Sequence, residues 1–250
     1  MIRKMKRRHF AGAVCEQIVY NVPGSVKNLS EYEPRPRFKN DEERRRHRER
    51  IARQNHARKF NANFTSKSLY STLTCDDDNE IYTFAEAKAI IRKFLRRLQY
   101  AHPDALAFVY IGRGKHTHRI HFHMVSNNVP EECIRKNWWY GTVIRIEPLR
   151  EHNYYEGKDY GQDYTGLANY LFDHWTEEQG GHHWIQIGKP LLPEAEEPTE
   201  CKRDYSEQKP PLPPKGYRLV ETQANKYGYL YFKYVKISTT AKKKRPTNRP

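Results

Sequence analysis

The sequence predicts an α+β fold in which helices cover one face of an antiparallel sheet. Between residues 69 and 148, four short apolar segments with strand character are interspersed with two helical patterns. Their order along the chain is strand, helix, strand, strand, helix, strand, which is typical of a ferredoxin-like or RRM-like sheet. In that topology the first and third strands are central, so the third strand should lie in the middle of the sheet.

Each element of this core is identified from its hydrophobic periodicity. The predicted strands are 69–74, 105–111, 119–126 and 142–148, and the predicted helices are 84–100, 130–138 and 164–175. In the helix over 84–100, apolar residues recur at steps of three and four, while basic residues take the opposite side. The apolar positions are Phe84, Ala87, Ile91, Phe94 and Leu98. This pattern predicts one buried and one solvated face.

Outside the core, the composition changes from segment to segment. We predict an N-terminal basic arm at 1–67, the core domain at 68–189, a Pro-rich linker at 190–216, a C-terminal β-hairpin at 217–237 and a basic tail at 238–250. The arm contains a charged helix over 40–59, capped by Asn40 or Asp41. Because Ile51 and Ala52 are almost its only apolar residues, this helix should not drive its own burial. A solvated helix or disordered arm and a phosphate-binding arm both fit this composition.

The charge of the chain points to a polyanionic partner. Its 250 residues include 45 Lys and Arg against 30 Asp and Glu, a net charge of +15. Nucleic acid is the first candidate partner and an anionic membrane surface the second. No apolar run approaches the roughly 18 residues of a membrane span, and no secretory signal is recognisable, so we expect a cytoplasmic protein. The four cysteines are dispersed without a CxxC pair, which favours reduced thiols over a zinc or disulfide framework.

A His-Phe-His triplet lies in the predicted central strand. Successive side chains of a strand point to opposite faces, so Ile120, Phe122 and Met124 share the face toward the helices. His121 and His123 then project side by side from the open face, at a spacing that lets two imidazoles reach one divalent ion. We predict a site for Mg²⁺ or Mn²⁺, and Zn²⁺ also suits this type of ligand. Two ordinary surface histidines are the alternative interpretation.

The helix over 164–175 supplies a candidate nucleophile. On a helical wheel, Tyr170 lies about 130° from the centre of the apolar arc, so its phenol should face outward. A tyrosine with an ordinary pKa near 10 needs assistance to lose its proton before it attacks a phosphate. Tyr164, six residues earlier, is the main rival for this role.

Basic residues near the triplet and in the arm are candidates for DNA contact. They are Arg44, Arg45, Arg46, Arg113, Lys115 and Arg119. His116 and His118, in the loop before the strand, fit either metal assistance or phosphate contact. Trp138, Trp139 and Tyr140 are candidates for stacking on unpaired bases.

Three runs together resemble the HUH endonucleases: FVYIGRGKHTHRIHFHMVSN, WWYGTV and GLANYLFDHW. The chain looks most like the replication-associated proteins of bacteriophages and rolling-circle plasmids, of the filamentous-phage gene II type, over roughly residues 68 to 176. The resemblance implies a palm-like antiparallel sheet and a divalent metal held by two histidines. It also implies attack of a tyrosine on DNA, giving a 5′-phosphotyrosine link and a free 3′ hydroxyl. His121 and His123 match the metal histidines, and Tyr170 matches the nucleophile.

Two positions depart from the family pattern. Relatives often place an acidic residue near the position of Gly112, so the third metal ligand is unassigned. They also often carry a lysine three residues after the tyrosine, where this chain has Asp173.

The resulting expectation is a site-specific enzyme that nicks and joins single-stranded DNA at a replication origin. It would act with the host replication machinery in the cytoplasm of a bacterial cell. A relaxase or a single-tyrosine transposase with the same chemistry is one alternative. A non-catalytic nucleic-acid-binding module with vestigial or structural histidines is the other.

Overall fold

The structure is a computed structural model that describes residues 2–24, 40–114, 117–141, 144–225 and 228–237. This part of the chain is α+β, with four α-helices and mostly antiparallel sheets. None of its helices combines the length and the apolar character of a membrane span.

The helices, strands β3 to β6 and the C-terminal hairpin lie close to their predicted positions, whereas β1 was not predicted. The helices are α1 Asp41–Asn63, α2 Phe84–Ala101, α3 Glu131–Asn137 and α4 Thr165–Phe172. The strands are β1 Ile2–Ala11, β2 Val14–Pro23, β3 Leu69–Thr74, β4 Leu106–Arg113, β5 Ile120–Asn127, β6 Ile144–Pro148, β7 Tyr154–Tyr155, β8 Lys158–Asp159, β9 Ile185–Ile187, β10 Glu194–Ala195, β11 Thr199–Glu200, β12 Tyr217–Ala224 and β13 Leu230–Lys236. The side chain of Asn40 caps α1 by accepting from the amide of Glu43 at 2.8 Å. Thr83 and Glu86 form a reciprocal capping box at the start of α2.

The first sheet has the strand order β6-β3-β5-β4-β9, and every pair in it is antiparallel. Strand β5, which carries the His-Phe-His triplet, is therefore in the centre, as the sequence predicts. Its register places His123 opposite Thr72 on one side and Tyr110 on the other.

One face of this sheet packs under α2 and α3. Phe122 and Met124 of β5 are fully buried there, in one cluster with Ile91 and Phe94 of α2 and Ile134 of α3. The amphipathic pattern of α2 explains this packing, because its apolar stripe is wide enough to cover the sheet.

The prediction that helices cover only one face, leaving the histidine face open, is wrong. Helices α1 and α4 pack against that face, and Phe60 of α1 and Leu171 of α4 share a buried cluster with Phe108, Tyr110 and Val125 of the sheet. The physical reason lies in the uneven composition of α1. Its arginines are concentrated in the first half, whereas its C-terminal half carries the apolar side chains that bury against the strands.

The N-terminal strands belong to a second sheet, of order β10-β1-β2-β13-β12, with β11 also paired to β1. Strand β2 pairs with β13 of the C-terminal hairpin, and Cys15 lies opposite Tyr234. The segment predicted as a linker contributes β10 and β11, which both pair with β1. The basic N-terminal segment is thus paired on both sides.

Buried charges join the second sheet to the helices. The carboxylate of Glu16 accepts hydrogen bonds from the Arg58 guanidinium of α1 at 2.5 Å and from the Tyr231 hydroxyl at 2.9 Å. On β13, the ammonium of Lys233 lies 3.2 Å from Asp163 and 3.3 Å from Glu221. Removing one member of such a pair leaves the other charge desolvated without compensation.

We expect Arg58→Ala to lower the free energy of unfolding by about 3 kcal/mol, because the buried Glu16 carboxylate loses its cation. Arg46→Ala is the control, since Arg46 pairs with Glu42 on the exposed part of the same helix. That variant should lose less than about 1 kcal/mol. Denaturant titration measures both, and equal losses would contradict a structural role for the buried pair.

Candidate metal centre and tyrosine

Alternation along β5 puts two imidazoles on the same face of the sheet. The ring centroids of His121 and His123 are 4.8 Å apart, with the ring planes nearly perpendicular. His123 is buried and His121 half-buried beneath α1 and α4, which form the second helical layer. Strand periodicity predicts this shared face.

A third histidine joins them from the turn after α4. The ring of His174 lies 4.6 Å from that of His123 and 5.9 Å from that of His121, centroid to centroid. One ligand nitrogen from each of the three residues lies within 4.8 Å of the others. Sequence reasoning left the third ligand open and did not assign it to His174. The available signal was its spacing of four residues from Tyr170, which puts both side chains on one side of the helix.

Hydrogen bonds fix which nitrogens of these rings face the cluster. Nδ1 of His123 lies 2.6 Å from the hydroxyl of Tyr70, while its Nε2 is buried with no partner among the described residues. Nδ1 of His174 donates to the backbone carbonyl of Tyr170 at 2.8 Å. An imidazole that donates through Nδ1 keeps a lone pair on Nε2, so His174 can offer that atom to a cation.

Burial keeps the two strand imidazoles neutral. It lowers the pKa of His123 to about 3, and the charges of His174 and His121 act in the same direction. Burial also lowers the pKa of His121, with a further contribution from His174. Neutral imidazole is the form that binds a metal ion.

Gly112 makes room for the cluster. A Cβ atom at this position would stand 2.5 Å from Nε2 of His121 and 2.6 Å from Cδ2 of His174. The space that an acidic side chain would need here is therefore already taken by the two histidines. Glycine at position 112, where relatives often carry an acidic residue, therefore leaves room for the imidazole of His174.

Tyr170 lies at the solvent edge of this cluster. Its side chain is 52% exposed, and its ring is 4.6 Å from that of His174 and 5.9 Å from that of His123. The rival Tyr164 is 2% exposed, and its hydroxyl donates to the carbonyl of Arg150 at 2.9 Å. Burial also raises the pKa of Tyr164. Tyr164 is thus a core residue that a phosphate cannot approach.

Two of the basic residues singled out around the strand, Arg113 and Arg119, lie at the surface. The guanidinium of Arg113 is 3.3 Å from Glu178 and 4.7 Å from the ring centroid of Phe84. Arg119 bonds to Asp77 at 2.5 Å, and Lys115 lies outside the described residues. His118 is exposed and is not part of the histidine cluster; His116 also lies outside the described part.

The arginines of α1 run beside the tyrosine helix. Arg45 lies 3.8 Å from Glu177, and Arg53 bonds to Asp173 at 2.5 Å, so two links connect α1 to the residues that follow α4. Arg44 pairs with Asp41 and Arg46 with Glu42. The exposed side chains of Arg44, Arg45 and Arg46 therefore belong to the helix that borders the site.

The three imidazoles fit a divalent transition-metal ion. An all-nitrogen donor set suits Zn²⁺, Mn²⁺ or a similar ion better than Mg²⁺, which prefers oxygen ligands. Tyr70 orients His123 from outside the donor set, an arrangement typical of metal-binding histidines. The buried, unpartnered Nε2 of His123 is the observation that favours a ligand at this place.

We expect Tyr70→Phe to weaken Mn²⁺ or Zn²⁺ binding by roughly 10- to 100-fold, because His123 loses the hydrogen bond that orients its ring. Isothermal titration calorimetry measures the change. Tyr154→Phe removes an exposed hydroxyl elsewhere and should leave the affinity unchanged. Equal affinity in Tyr70→Phe and the parent protein would show that Tyr70 does not position the ligand.

Gly112→Ala tests whether the histidine cluster requires a residue without a side chain at position 112. The added methyl group meets two imidazoles, so metal affinity should fall by at least about 10-fold while the fold is retained. Gly166→Ala is the matched control, because no atom lies within 4 Å of a Cβ atom built there. The same affinity in both variants would contradict the close packing around Gly112.

Comparison of the chain with models of protein families, with curated proteins and with solved structures found no match.

Proposed function

We propose that this protein is a metal-dependent HUH-type endonuclease and strand transferase, which nicks and rejoins single-stranded DNA to initiate rolling-circle replication. The observation that carries the proposal is one site holding three histidines and a half-exposed tyrosine. The fold supports it too, since β3, α2, β4, β5, α3 and β6 follow the order expected of a ferredoxin-like, palm-like domain.

In the proposed reaction, Tyr170 is the nucleophile. Its hydroxyl oxygen forms a bond to the phosphorus of a DNA phosphodiester, and the bond between that phosphorus and the 3′ oxygen breaks. The phenol proton leaves to solvent at the exposed edge of the ring, and the departing 3′ oxygen takes up a proton. The products are a 5′-phosphotyrosine link and a free 3′ hydroxyl.

His121, His123 and His174 would hold a divalent ion, which when bound acts as a Lewis acid on the phosphate and fixes its orientation. The donor set favours Mn²⁺ or Zn²⁺ over the Mg²⁺ that the sequence also suggested. The burial of His123 and its hydrogen bond to Tyr70 keep this ligand in place before DNA arrives.

The joining step is the reverse of cleavage. The 3′ hydroxyl of an incoming DNA end attacks the phosphotyrosine, releases Tyr170 and reseals the strand. Meanwhile the first 3′ hydroxyl is a primer that the host replication machinery can extend. The energy of the original phosphodiester is conserved in the tyrosine link, so the cycle needs no nucleotide cofactor.

Arg53 contacts Asp173, the second position at which the chain departs from the family pattern. Relatives often carry a lysine where this chain has Asp173, and here the guanidinium of Arg53 bonds to that carboxylate. Arg53 thereby neutralises the carboxylate that stands where relatives have a cation. The exposed Arg44, Arg45 and Arg46 are also paired with carboxylates, which a DNA backbone at this border would displace.

The test is covalent capture of labelled single-stranded DNA that carries origin sequence, in the presence of Mn²⁺, on a denaturing gel. We expect an adduct that is absent from Tyr170→Phe and from reactions with EDTA. In His121→Ala and His174→Ala it should fall by at least about 10-fold, because each loses one of three ligands. Tyr154→Phe, which changes an exposed tyrosine away from the cluster, should form the adduct normally.

Other outcomes would decide against the proposal. An adduct that persists in Tyr170→Phe would sink the assignment of the nucleophile. Salt-dependent DNA binding without any adduct over a panel of origin substrates would favour a non-catalytic binding module. An adduct on transposon ends or transfer origins rather than replication origins would favour a transposase or relaxase.

A further inference from the structure

A second basic surface lies far from the histidines. Helices α2 and α3 enclose a cleft of about 770 Å³, whose lining includes Lys93, Arg96, Arg97, Tyr100 and Lys136. Because α2 and α3 cover the Phe122 face of the sheet, this cleft and the histidine cluster are on opposite sides of the sheet. The proposed cleavage and joining reaction makes no use of it.

The cations of this cleft are not neutralised by the protein. Four cationic side chains face a single lining carboxylate, that of Glu132. None of the four forms a salt bridge with a carboxylate in the described part of the chain. Lys93, Arg96 and Lys136 are exposed. Such a cluster repels itself, and a bound polyanion would relieve that repulsion.

One of these cations is held in a fixed orientation. Nη2 of Arg97 donates to the carbonyl of Asn137 at 2.8 Å, and its guanidinium lies 3.9 Å from the ring centroid of Trp139. Its Nε is buried without a hydrogen-bond partner among the described atoms. The Arg97 side chain is therefore held in one orientation at the wall of the cleft.

Large aromatic rings flank the cations. Tyr100 is 92% exposed and Trp139 is 64% exposed. The indole of Trp139 is fixed, since its Nε1 donates to the carbonyl of Lys136 at 2.9 Å while Arg97 stacks on the ring. Exposed aromatic rings among cations are the arrangement on which unpaired bases stack.

We propose that the cleft between α2 and α3 binds a segment of single-stranded nucleic acid, with Lys93, Arg96, Arg97 and Lys136 on phosphates and Tyr100 and Trp139 on bases. A duplex offers the same phosphates but keeps its bases stacked inside, so the exposed rings favour the single strand. This segment differs from the one at Tyr170, because the sheet separates the two surfaces. The protein can therefore hold two stretches of strand at once.

The test is fluorescence anisotropy with labelled oligothymidylate, in EDTA, with the full chain carrying Tyr170→Phe so that no strand is captured covalently. The double variant Lys93→Glu/Arg96→Glu should bind roughly 10-fold more weakly at about 0.1 M salt. The slope of log affinity against log salt should become shallower by about 1.4, or about 0.7 for each phosphate that the variant no longer neutralises. The control Lys202→Glu/Lys209→Glu makes the same change in net charge on the segment beside Cys201 and Tyr205, which pack on the second sheet.

Tyr100→Ser tests the stacking contact, and its 92% exposure makes a folding defect unexpected. It should weaken oligothymidylate binding roughly 5- to 100-fold, with little effect on duplex of the same length.

Equal losses in the cleft variant and the charge-matched control would overturn the proposal, because only net charge would then matter. A Tyr100→Ser variant that loses duplex and single strand alike, or neither, would overturn the assignment to unpaired bases. None of these results depends on DNA cleavage, so they stand apart from the outcome for Tyr170.

Discussion

The central position of β5 determines where the histidine cluster of this protein lies. On one side of the strand, Phe122 and Met124 complete the core beneath α2 and α3. On the other side, His121 and His123 point toward a layer made by α1 and α4. A slip of one residue in the register would exchange these faces and place the imidazoles in the apolar core beneath α2 and α3. The hydrophobic packing of one face therefore fixes the imidazoles on the other face, where Tyr70 orients His123.

The second helical layer turns two strand histidines into a cluster with defined protonation. It buries them, which keeps them neutral, and it delivers Tyr170 from α4 and His174 from the turn that follows it. Burial also leaves a nitrogen of His123 without a partner, and an unpaired buried polar atom opposes folding. The layer that completes the fold thus also leaves a buried nitrogen that a bound metal ion would satisfy.

Much of this arrangement is predictable from the sequence, for identifiable reasons. Periodicity locates the helices, strands β3 to β6 and the C-terminal hairpin, and their order locates β5, because both are properties of neighbouring residues. The coverage of the histidine face is not predictable in this way, since the polar composition of α1 as a whole hides the apolar half that contains Phe60. The spacing of His174 from Tyr170 places these two side by side, but periodicity does not show that α4 packs over β5 and brings them to the other histidines. The sequence does not explain why position 112 is glycine, because the reason is the contact of His121 and His174 with this position in the folded chain.

The pairing of β2 with β13 has a consequence for how the protein is made. The hairpin of β1 and β2 is local in the chain, but the other edge of β2 meets its partner only after the roughly 200 residues between β2 and β13 have been synthesised. Contacts between such distant segments form slowly, because a long loop must close first. Until then the unpaired edge of β2, with Cys15 and Val19, is open to other strands in the cell, which is a known route to aggregation. The Lys and Arg side chains that crowd β1 next to this edge add positive charge to the nascent hairpin, and charge of one sign keeps such hairpins apart.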